Sequence, residues 1–313
     1  MLQDLVVLGA NSALPLAGRF SSSFVLRTAN RYFLIDAGEG CQMKLGQFKI
    51  KRSRISHVFI SHMHGDHIFG LPGLITSFNL NNRKEDLNIV GPVGIKKYIN
   101  VVLEVSRSVT NFELNITELD NKGLQQILRI DGIKISSFPL HHRISTFGYL
   151  FEEIDKEFNV FPDKIKEYNL TIKEIKAAKK GKNIIRGDGK KINFKEITYI
   201  KNEPLSFAYC SDTIFDPSLV KYISEVDLLY HEATYLHELK DQAKLRMHST
   251  SQEAAEIAKR ARVNKLIIGH YSSRYKDLGV LKREACKTFT NTEIAEEGKI
   301  FSILQNKLIQ NTC

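Results

Sequence analysis

The stretch His62-Met63-His64-Gly65-Asp66-His67 places three imidazoles and one carboxylate within six residues. Imidazole nitrogens and a hard carboxylate oxygen suit zinc or a similar cation, and the set is large enough to hold two ions. The preceding run from His57 to Ile60 is apolar and β-branched, which predicts a buried strand, while Gly65 allows a sharp turn around the ligands. The sequence therefore predicts a metal site at the carboxyl end of a strand.

The alternative for any one histidine is an ordinary surface or core residue, which is the commoner case. Here three of the ten histidines in 313 residues share one hexapeptide with an aspartate. Such density favours the metal-binding interpretation over chance.

Composition indicates a globular protein with a sizeable core. Hydrophobic residues make up 42% of the chain and charged residues 26%, which is not the composition of a disordered protein. The apolar run from Leu5 to Leu8 is too short to span a membrane, and Asp4 stands where a signal peptide would carry a basic residue. Four scattered cysteines without a C-x-x-C pair predict neither a disulfide framework nor a cysteine zinc site. We therefore expect a cytoplasmic protein that does not contact membranes.

Positive charge is concentrated in one segment of the chain. The net charge is +10, and between Lys173 and Lys195 nine basic residues face two acidic ones, a local balance of +7. Such a segment attracts phosphate polymers without reading their sequence, although charge runs are often only solvated helix faces. From about 155 to 200 the segment also breaks the strand and helix rhythm of the chain, which predicts an insertion or arm.

Elsewhere short apolar strands alternate with helical segments. The first strands are predicted to form a meander in one sheet, Leu71–Leu80 a helix with Pro72 in its first turn, and Val93–Val105 another helix. Ser249 and Thr250 precede a strongly helical run, with Gln252 and Glu253 as capping-box partners. Four predicted strands are each followed by a residue able to bind metal, namely His62, His142, Asp212 and His270. We expect these strand ends to converge on one site, as in many α/β enzymes.

Six motifs in this order resemble the tRNase Z family of the metallo-β-lactamase superfamily: SHMHGDHIFGLPGL, HHRISTFGY, YCSDT, HEAT, HSTSQEAAEIA and IIGHYSSRY. The resemblance spans nearly the whole chain. It implies an α/β protein with a four-layer αββα sandwich, one domain over residues 1–313, and a protruding lysine-rich arm, flexible and tRNA-binding, inserted at 155–200.

The resemblance also implies the ligands of two zinc ions per subunit. One ion would be held by His62, His64 and His142, the second by Asp66, His67 and His270, and Asp212 would bridge both. In the family a Gly-Tyr pair begins six residues after this ligand, and the resemblance of Gly148-Tyr149 to that pair implies His142 rather than its neighbour His141. A shared carboxylate offsets the repulsion between two nearby dications.

The activity implied by the resemblance is removal of the 3′ trailer from precursor tRNA. A hydroxide between the zinc ions would attack the phosphodiester, leaving a 3′-hydroxyl on the tRNA and a 5′-phosphate on the trailer. Asp66 would accept the proton of the attacking water, His248 would protonate the leaving ribose oxygen, and Glu232 would orient His248. The alternative for His248 and Glu232 is structural support of the metal loops.

The arm and the residues after His270 are the expected RNA contacts. Relatives use the arm to grip the tRNA elbow and form homodimers in which one subunit's arm serves the other's active site. After His270 the expected contact is Arg274, for which the alternative is a solvent-exposed residue without a role. In the arm four lysines are expected to contact RNA, namely Lys176, Lys179, Lys180 and Lys182. The chain departs from the family where NLTIKEIKAAKKG replaces a Gly-Pro-rich arm element.

A second departure lies in the loop from Pro15 to Phe20, which keeps the family's proline and arginine but lacks its lysine and asparagine. In relatives this loop helps to reject tRNA that already ends in CCA. The principal alternative function is a phosphodiesterase or exonuclease of the same fold acting on other RNA or small diesters. A hydroxyacyl-glutathione hydrolase would have no use for a basic arm, and a non-catalytic RNA-binding protein would not need an intact ligand set.

Overall fold

The computed structural model describes residues 1–16, 18–154 and 156–303. Residue 155, at the predicted start of the arm, and Cys313 lie outside this part of the chain. The described residues form two compact units, one comprising Met1–Phe151 with the chain from Ser206 onward, the other Glu152–Leu205. The second unit contains the segment predicted as an insertion.

The strands of the described chain alternate with helices along much of its length. The strands are β1 Leu2–Gly9, β2 Ser23–Thr28, β3 Tyr32–Ile35, β4 Ile55–Phe59, β5 Leu87–Pro92, β6 Leu114–Leu119, β7 Gln125–Ile130, β8 Ile133–Leu140, β9 Thr146–Glu153, β10 Glu157–Val160, β11 Ile184–Ile185, β12 Lys191–Ile192, β13 Thr198–Asn202, β14 Ser206–Cys210, β15 Leu228–Glu232, β16 Lys265–Gly269, β17 Thr292–Ile294 and β18 Ile300–Ser302. The α-helices are α1 Cys41–Gln47, α2 Gly65–Ile68, α3 Leu71–Leu80, α4 Ile95–Val105, α5 Pro162–Glu167, α6 Ile172–Lys179, α7 Phe194–Ile197, α8 Val220–Ile223, α9 Lys240–Arg246, α10 Ser251–Arg260 and α11 Gly279–Cys286. Short 3-10 turns occupy Arg52–Arg54, Pro217–Leu219 and His237–Leu239.

Two sheets form the larger unit. The strand order of the first is β18-β1-β2-β3-β4-β5-β6 and that of the second β17-β16-β15-β14-β9-β8-β7. Within them β3 to β6 run parallel, and so do β14 to β17, so each sheet gathers the carboxyl ends of several strands at one edge. The predicted meander of β1, β2 and β3 is confirmed by their antiparallel pairing.

Aromatic side chains fill the space between the two sheets. Phe24 of the first sheet packs against Tyr230 of the second at a ring-centroid distance of 4.6 Å, and Phe59 packs against Phe151 at 5.4 Å. Helices α1, α3 and α4 cover the outer face of the first sheet, where their apolar side chains form a buried cluster with those of the strands. On the second sheet α10 contacts β15 and β16, and α11 contacts β17. This αββα layering confirms the predicted fold class.

The local predictions agree with the structure except at two helix starts. Leu71–Leu80 is helical with Pro72 in the first turn, as predicted. The next helix begins at Ile95 rather than Val93, because Gly94 adopts φ 105° and only then does the chain turn helical. Glu253, not Gln252, completes the capping box with Thr250, since Thr250 is the N-cap and the partner stands three residues on.

The smaller unit has a core of its own. Strands β10 and β13 pair, β11 and β12 form a hairpin, and the apolar side chains of the unit pack together. Thr171 and Glu174 form a capping box on α6, and Arg186 donates to Glu174 at 2.8 Å and to the carbonyl oxygen of Tyr168 at 2.7 Å. Arg186 therefore ties the unit together, whereas the four lysines predicted to contact RNA are exposed on and after α6.

His57 in β4 is buried between aromatic rings, and this burial makes stability pH-dependent. Burial and the nearby charge of Arg31 lower the pKa of His57 from 6.5 to about 4. The unfolded chain therefore binds a proton between pH 6.5 and 4 that the folded chain excludes, so stability is lost as the pH falls through this window.

We expect the substitution His57→Leu to remove this acid sensitivity. Between pH 7.5 and 5 the wild type should lose about 2 kcal/mol more unfolding free energy than the variant. Urea unfolding of both metal-free proteins at the two pH values measures the difference, and the other histidines cancel in the comparison. Parallel pH dependences for the two proteins would show that folding does not lower the pKa of His57, and would contradict the prediction.

Candidate metal centre

Seven histidine and aspartate side chains converge at the edge where the strands of the two sheets end. The first group consists of His62, His64, His142 and Asp212, and the second of Asp66, His67 and His270. Within each group the ligand atoms lie within 4.8 Å of one another. His62 follows β4 of the first sheet, whereas His142, Asp212 and His270 follow β8, β14 and β16 of the second. The structure thus brings together all seven residues predicted as metal ligands.

Asp212 lies between the two groups, with one oxygen turned to each. Its Oδ2 is 3.6 Å from His62 Nε2 and 3.8 Å from His142 Nε2. Its Oδ1 is 3.5 Å from His67 Nε2 and 3.2 Å from His270 Nε2. This is the position that a carboxylate bridging two cations requires.

His67 is oriented by Asp36, a fully buried carboxylate. The Nδ1 of His67 lies 2.8 Å from Asp36 Oδ2, which also accepts hydrogen bonds from the hydroxyls of Tyr209 at 2.7 Å and Ser61 at 2.9 Å. Asp36 Oδ1 accepts from the backbone N–H of Ser61 at 2.7 Å. Because Nδ1 carries the hydrogen, the Nε2 lone pair of a neutral His67 faces the site.

His270 is oriented by a similar set of hydrogen bonds, made by residues of the second sheet and the loop after it. Its Nδ1 lies 2.8 Å from Thr234 Oγ1, and that hydroxyl donates to Glu232 Oε2 at 2.7 Å. The hydroxyl hydrogen is therefore used, so His270 Nδ1 must be the donor and Nε2 presents its lone pair. His270 also holds φ 61°, an unusual conformation for a side chain of this size, which turns the imidazole into the site.

The arrangement of the donor atoms fits bound cations. His142 Nδ1 lies 2.9 Å from the carbonyl oxygen of Met247, which only accepts, so Nε2 presents a lone pair towards His64 Nδ1 at 3.3 Å. His62 Nε2 lies 3.0 Å from the same nitrogen of His64. Converging lone pairs repel unless a proton or a cation lies between them. Ligand atoms about 2.0 to 2.1 Å from a tetrahedral zinc ion are about 3.3 Å apart, close to these spacings.

The donor atoms of the second group also fit a bound cation. The Nε2 atoms of His67 and His270 are buried and make no hydrogen bond within the described residues. The Oδ2 atom of Asp66 lies 3.5 Å from the first and 3.4 Å from the second. A buried nitrogen without a hydrogen-bond partner is costly, and a cation among these atoms would remove that cost.

The electrostatics differ between the two groups. Burial and the neighbouring imidazoles lower the pKa of His62 well below 6.5, and burial also lowers the pKa of His64 and His142. For His67 burial acts in the same direction, but the carboxylates of Asp66, Asp36 and Asp212 outweigh it and raise the pKa well above 6.5. The same carboxylates that favour a proton on His67 would favour a metal cation there.

His248 stands beside both groups but faces a different partner. Its Nδ1 lies 2.8 Å from Oε1 of Glu232, which is fully buried and also accepts from the backbone N–H groups of Thr213 and Thr234. Burial opposes a charge on His248, yet Glu232 outweighs burial and raises the pKa of His248 above 6.5. In the metal-free site Glu232 therefore favours the protonated form of His248.

An open pocket of about 660 Å³ leads to these residues. Its wall includes His64, Asp66, His142, Asp212, His248 and His270, and its other lining residues include Phe69, Arg143, Arg246 and Arg274. The guanidinium of Arg274 lies over the ring of Tyr235 at 5.0 Å, so this predicted RNA contact lies beside the site. His141, the neighbour of His142, is exposed instead, with its Nδ1 3.9 Å from Asp216.

Full-length relatives decide the family. The ribonuclease Z of Parabacteroides distasonis is 39% identical over 300 residues, which cover 96% of this chain and 99% of that protein. The ribonuclease Z of Cytophaga hutchinsonii is 40% identical over 301 residues, covering 96% of each. The chain belongs to the ribonuclease Z family. The resemblance inferred from the motifs is thereby confirmed.

Two further comparisons cover different shares of the chain. The crystal structure of the short form of human tRNase Z matches with a TM-score of 0.71 at 27% identity, covering 96% of this chain and 99% of that one. Residues 3–185 also match the family model described as Anti-Pycsar protein Apyc1, and over that range the chain belongs to this family too. That match ends before Asp212, Glu232, His248 and His270, whereas the ribonuclease Z relatives span the complete site.

Some residues that shape this ribonuclease Z site were not predicted from the sequence. Thr234 and the carbonyl oxygen of Met247 set the orientation of two imidazoles, and the backbone N–H of Ala13 donates to Asp66 Oδ2 at 2.8 Å. Arg143 and Arg246 line the pocket. Thr234 could have been found from the sequence because it belongs to the HEAT motif. The carbonyl of Met247 and the amide of Ala13 could not, because a backbone group is present at every residue.

Within the described residues no helix has the length and apolar character needed to cross a bilayer. The longest of them, α4, has 11 residues.

Proposed function

We propose that this protein is a zinc-dependent endoribonuclease that removes the 3′ trailer from precursor tRNA. The observation that carries the proposal is the convergence of seven metal-competent side chains beside a His248–Glu232 pair in a chain with full-length ribonuclease Z relatives. The products would be a tRNA with a 3′-hydroxyl and a trailer with a 5′-phosphate. Two zinc ions per subunit would be held by His62, His64 and His142 and by Asp66, His67 and His270, with Asp212 shared.

When bound, the zinc ions would neutralise charge on the scissile phosphate and lower the pKa of the attacking water. Asp66 would accept a hydrogen bond from that water. Although burial opposes its charge, His67 and His270 hold the pKa of Asp66 below its ordinary value, so the carboxylate stays ionised. An ionised carboxylate accepts hydrogen bonds, so Asp66 would orient the water and accept its proton.

His248 would protonate the leaving ribose oxygen. Glu232 accepts the Nδ1 hydrogen of His248, which leaves the Nε2–H of the cationic ring as the acid, and Thr213 and Thr234 hold Glu232 in place. Leaving-group protonation by a positioned histidine accelerates such reactions about 10²- to 10⁴-fold. The pair therefore supplies proton chemistry that a purely structural loop does not need.

The decisive experiment uses precursor tRNAs with a 3′ trailer, with and without an encoded CCA, incubated with the zinc-loaded protein. Mapping both ends should show cleavage beside the discriminator base, a tRNA 3′-hydroxyl and a trailer 5′-phosphate. Hydrolysis of bis(p-nitrophenyl) phosphate without cleavage of either precursor would favour the alternative, a phosphodiesterase for other RNA or small diesters. Comparing the two precursors also tests whether the altered loop from Pro15 to Phe20 still rejects CCA.

We propose that the smaller unit, Glu152–Leu205, is a basic arm that binds tRNA and takes no part in the chemical step. Its exposed lysines include four on and just after α6, namely Lys176, Lys179, Lys180 and Lys182. Their attraction to RNA phosphates would not depend on base sequence. The packed core of the unit supports a folded binding module rather than a loose tail.

Replacing the four arm lysines by glutamine is expected to weaken precursor tRNA binding about tenfold or more and to flatten its salt dependence. Hydrolysis of a small phosphodiester should be unchanged. The matched control removes the same charge from exposed lysines of the larger unit: Lys49, Lys51, Lys96 and Lys97. Deletion of residues 156–195 should have a larger effect in the same direction. Equal losses in both glutamine sets, or an equal loss on the small substrate, would contradict a dedicated arm.

We further propose that the protein is a cytoplasmic homodimer with two zinc ions per subunit. Metal analysis by mass spectrometry and light scattering after gel filtration test the ion count and the dimer. If one subunit's arm serves its partner's site, mixing the arm-deleted chain with the chain carrying His248→Ala should restore cleavage. A mixture no more active than its parts would place the arm and the site in the same subunit.

A further inference from the structure

Phe69 is an exposed aromatic side chain at the mouth of the metal pocket, and neither the fold nor the proposed chemistry uses it. Its side chain is 62% exposed, which makes it the most exposed aromatic residue of the described chain. It ends α2, and its backbone N–H bonds to the carbonyl oxygen of Gly65 at 2.9 Å. A ring so exposed gains little from its own burial, so its place at the pocket calls for another explanation.

The ring of Phe69 lies against the backbone of Gly65, in the turn that carries His64 and Asp66. A Cβ added at Gly65 would lie 2.2 Å from Cε2 of Phe69, so the ring occupies the space that a side chain at 65 would fill. The aromatic ring is thereby backed by Gly65 and lines the same pocket as His64 and Asp66. Three arginines, Arg143, Arg246 and Arg274, line that pocket too and supply charge for phosphates.

An aromatic ring beside cationic groups is the arrangement with which proteins bind single-stranded nucleic acid. Phosphates pair with the basic groups while a base stacks on the ring, and the stack is tolerant of sequence because every base has a π face. The trailer and the unpaired 3′ end of a precursor tRNA are single-stranded where they meet the site. Phe69 is therefore suited to one nucleobase next to the scissile bond.

The position of His248 indicates which base this is. The ring of His142 contacts the rings of His64 and His248, with centroids 5.1 Å from each. His248 is bonded to Glu232 of β15 in the second sheet, whereas the Gly65 turn follows β4 of the first, so the proposed acid and the turn are attached to different sheets. The leaving ribose oxygen, and with it the tRNA side of the bond, belongs at His248. The side near Gly65 and Phe69 remains for the nucleotide that follows the scissile phosphate.

We propose that Phe69 is the stacking platform for the nucleobase of the first trailer nucleotide. The proposal rests on the proposed function and names a specificity contact within it. Since a purine offers the larger stacking face, precursors whose trailer begins with a purine should be cleaved with higher kcat/KM than those that begin with a pyrimidine.

The test is a cycle of protein and substrate changes, with zinc content and melting temperature checked for each protein. Wild type, Phe69→Leu and Phe69→Tyr are assayed on precursors with adenosine at the first trailer position, with an abasic site there, or with an abasic discriminator. Loss of the trailer base should cost the wild type about tenfold in kcat/KM. Phe69→Leu should show that loss on the intact precursor and less than about twofold further loss on the abasic one, whereas Phe69→Tyr should keep the base dependence.

Leu80→Ala, which shortens another exposed apolar side chain outside the pocket, is the matched control. If Phe69→Leu keeps the full wild-type dependence on the trailer base, or if only the discriminator base matters, the proposal is wrong. A second readout separates it from the proposed function: 2-aminopurine at the first trailer position should be quenched on binding to wild type and not to Phe69→Leu. Quenching that depends on Phe69 without any cleavage would refute the function and retain the stack.

Discussion

Replacing His248 by alanine is expected to lower kcat on precursor tRNA by about 10²- to 10⁴-fold, the usual contribution of a positioned general acid. Bound zinc should stay at the wild-type level. The reason is that the Nδ1 of His248 faces Glu232 Oε1 at 2.8 Å, and that carboxylate raises the pKa of His248 above 6.5. Single-turnover kinetics and metal analysis of the same preparation measure both quantities.

A substrate with a better leaving group makes this test specific. A precursor with a bridging 3′-sulfur at the scissile bond needs no proton on the leaving atom, so His248→Ala should lose far less activity on it. Glu232→Gln should show the same pattern in weaker form, since it removes the charge that sustains the cationic ring. Because Asp212, His248 and His270 also lie close enough to share an ion, loss of zinc from His248→Ala would instead identify His248 as a ligand.

The substitution Asp36→Asn should lower zinc affinity about 10- to 100-fold, the typical effect of removing a partner that orients a metal-binding histidine. Asp36 accepts four hydrogen bonds, among them those of His67 Nδ1 and the Tyr209 hydroxyl. Burial and the adjacent Asp36 raise the pKa of Tyr209 well above 10, so that its hydroxyl remains a donor. An asparagine amide would present N–H groups to at least one of these donors and leave it unpaired.

Competition with a zinc chelator measures the affinity, and urea unfolding of the metal-free protein measures the accompanying destabilisation, expected at about 1–3 kcal/mol. Tyr209→Phe is the matched control, since it removes one donor to the same carboxylate and leaves His67 its partner. It should reduce stability while changing zinc affinity much less. Wild-type zinc affinity in Asp36→Asn would show that packing alone orients His67.

The secondary structure could be predicted from the sequence wherever the residues that determine a helix or strand lie within that same short segment. Leu71–Leu80 has apolar spacing and a proline in its first turn, and it is a helix over those residues. The start of α4 did not follow, because the left-handed conformation of Gly94 depends on the turn after β5. The choice of Glu253 over Gln252 depended on which residue is the N-cap, and two candidates stood side by side.

The candidate site followed from the sequence to a similar extent. The hexapeptide and the polar residues after four strands predicted which side chains would meet, because parallel strands end at a common edge. The surroundings of Phe69 could not be predicted in this way. Its exposure and its contact with Gly65 depend on how α2 turns away from β4, and an apolar residue in a motif is ordinarily assigned to the core.

The sequence by itself determined the chemical types of the ligands and their attachment to strand ends, because both are properties of short segments. Only the tertiary structure decided which nitrogen of each imidazole faces the site. That choice depends on a hydrogen bond to a partner far along the chain, 31 residues away for His67 with Asp36 and 105 residues away for His142 with Met247. It also decided that His142 is buried among the ligands while His141 is exposed, since adjacent residues leaving a strand point in opposite directions.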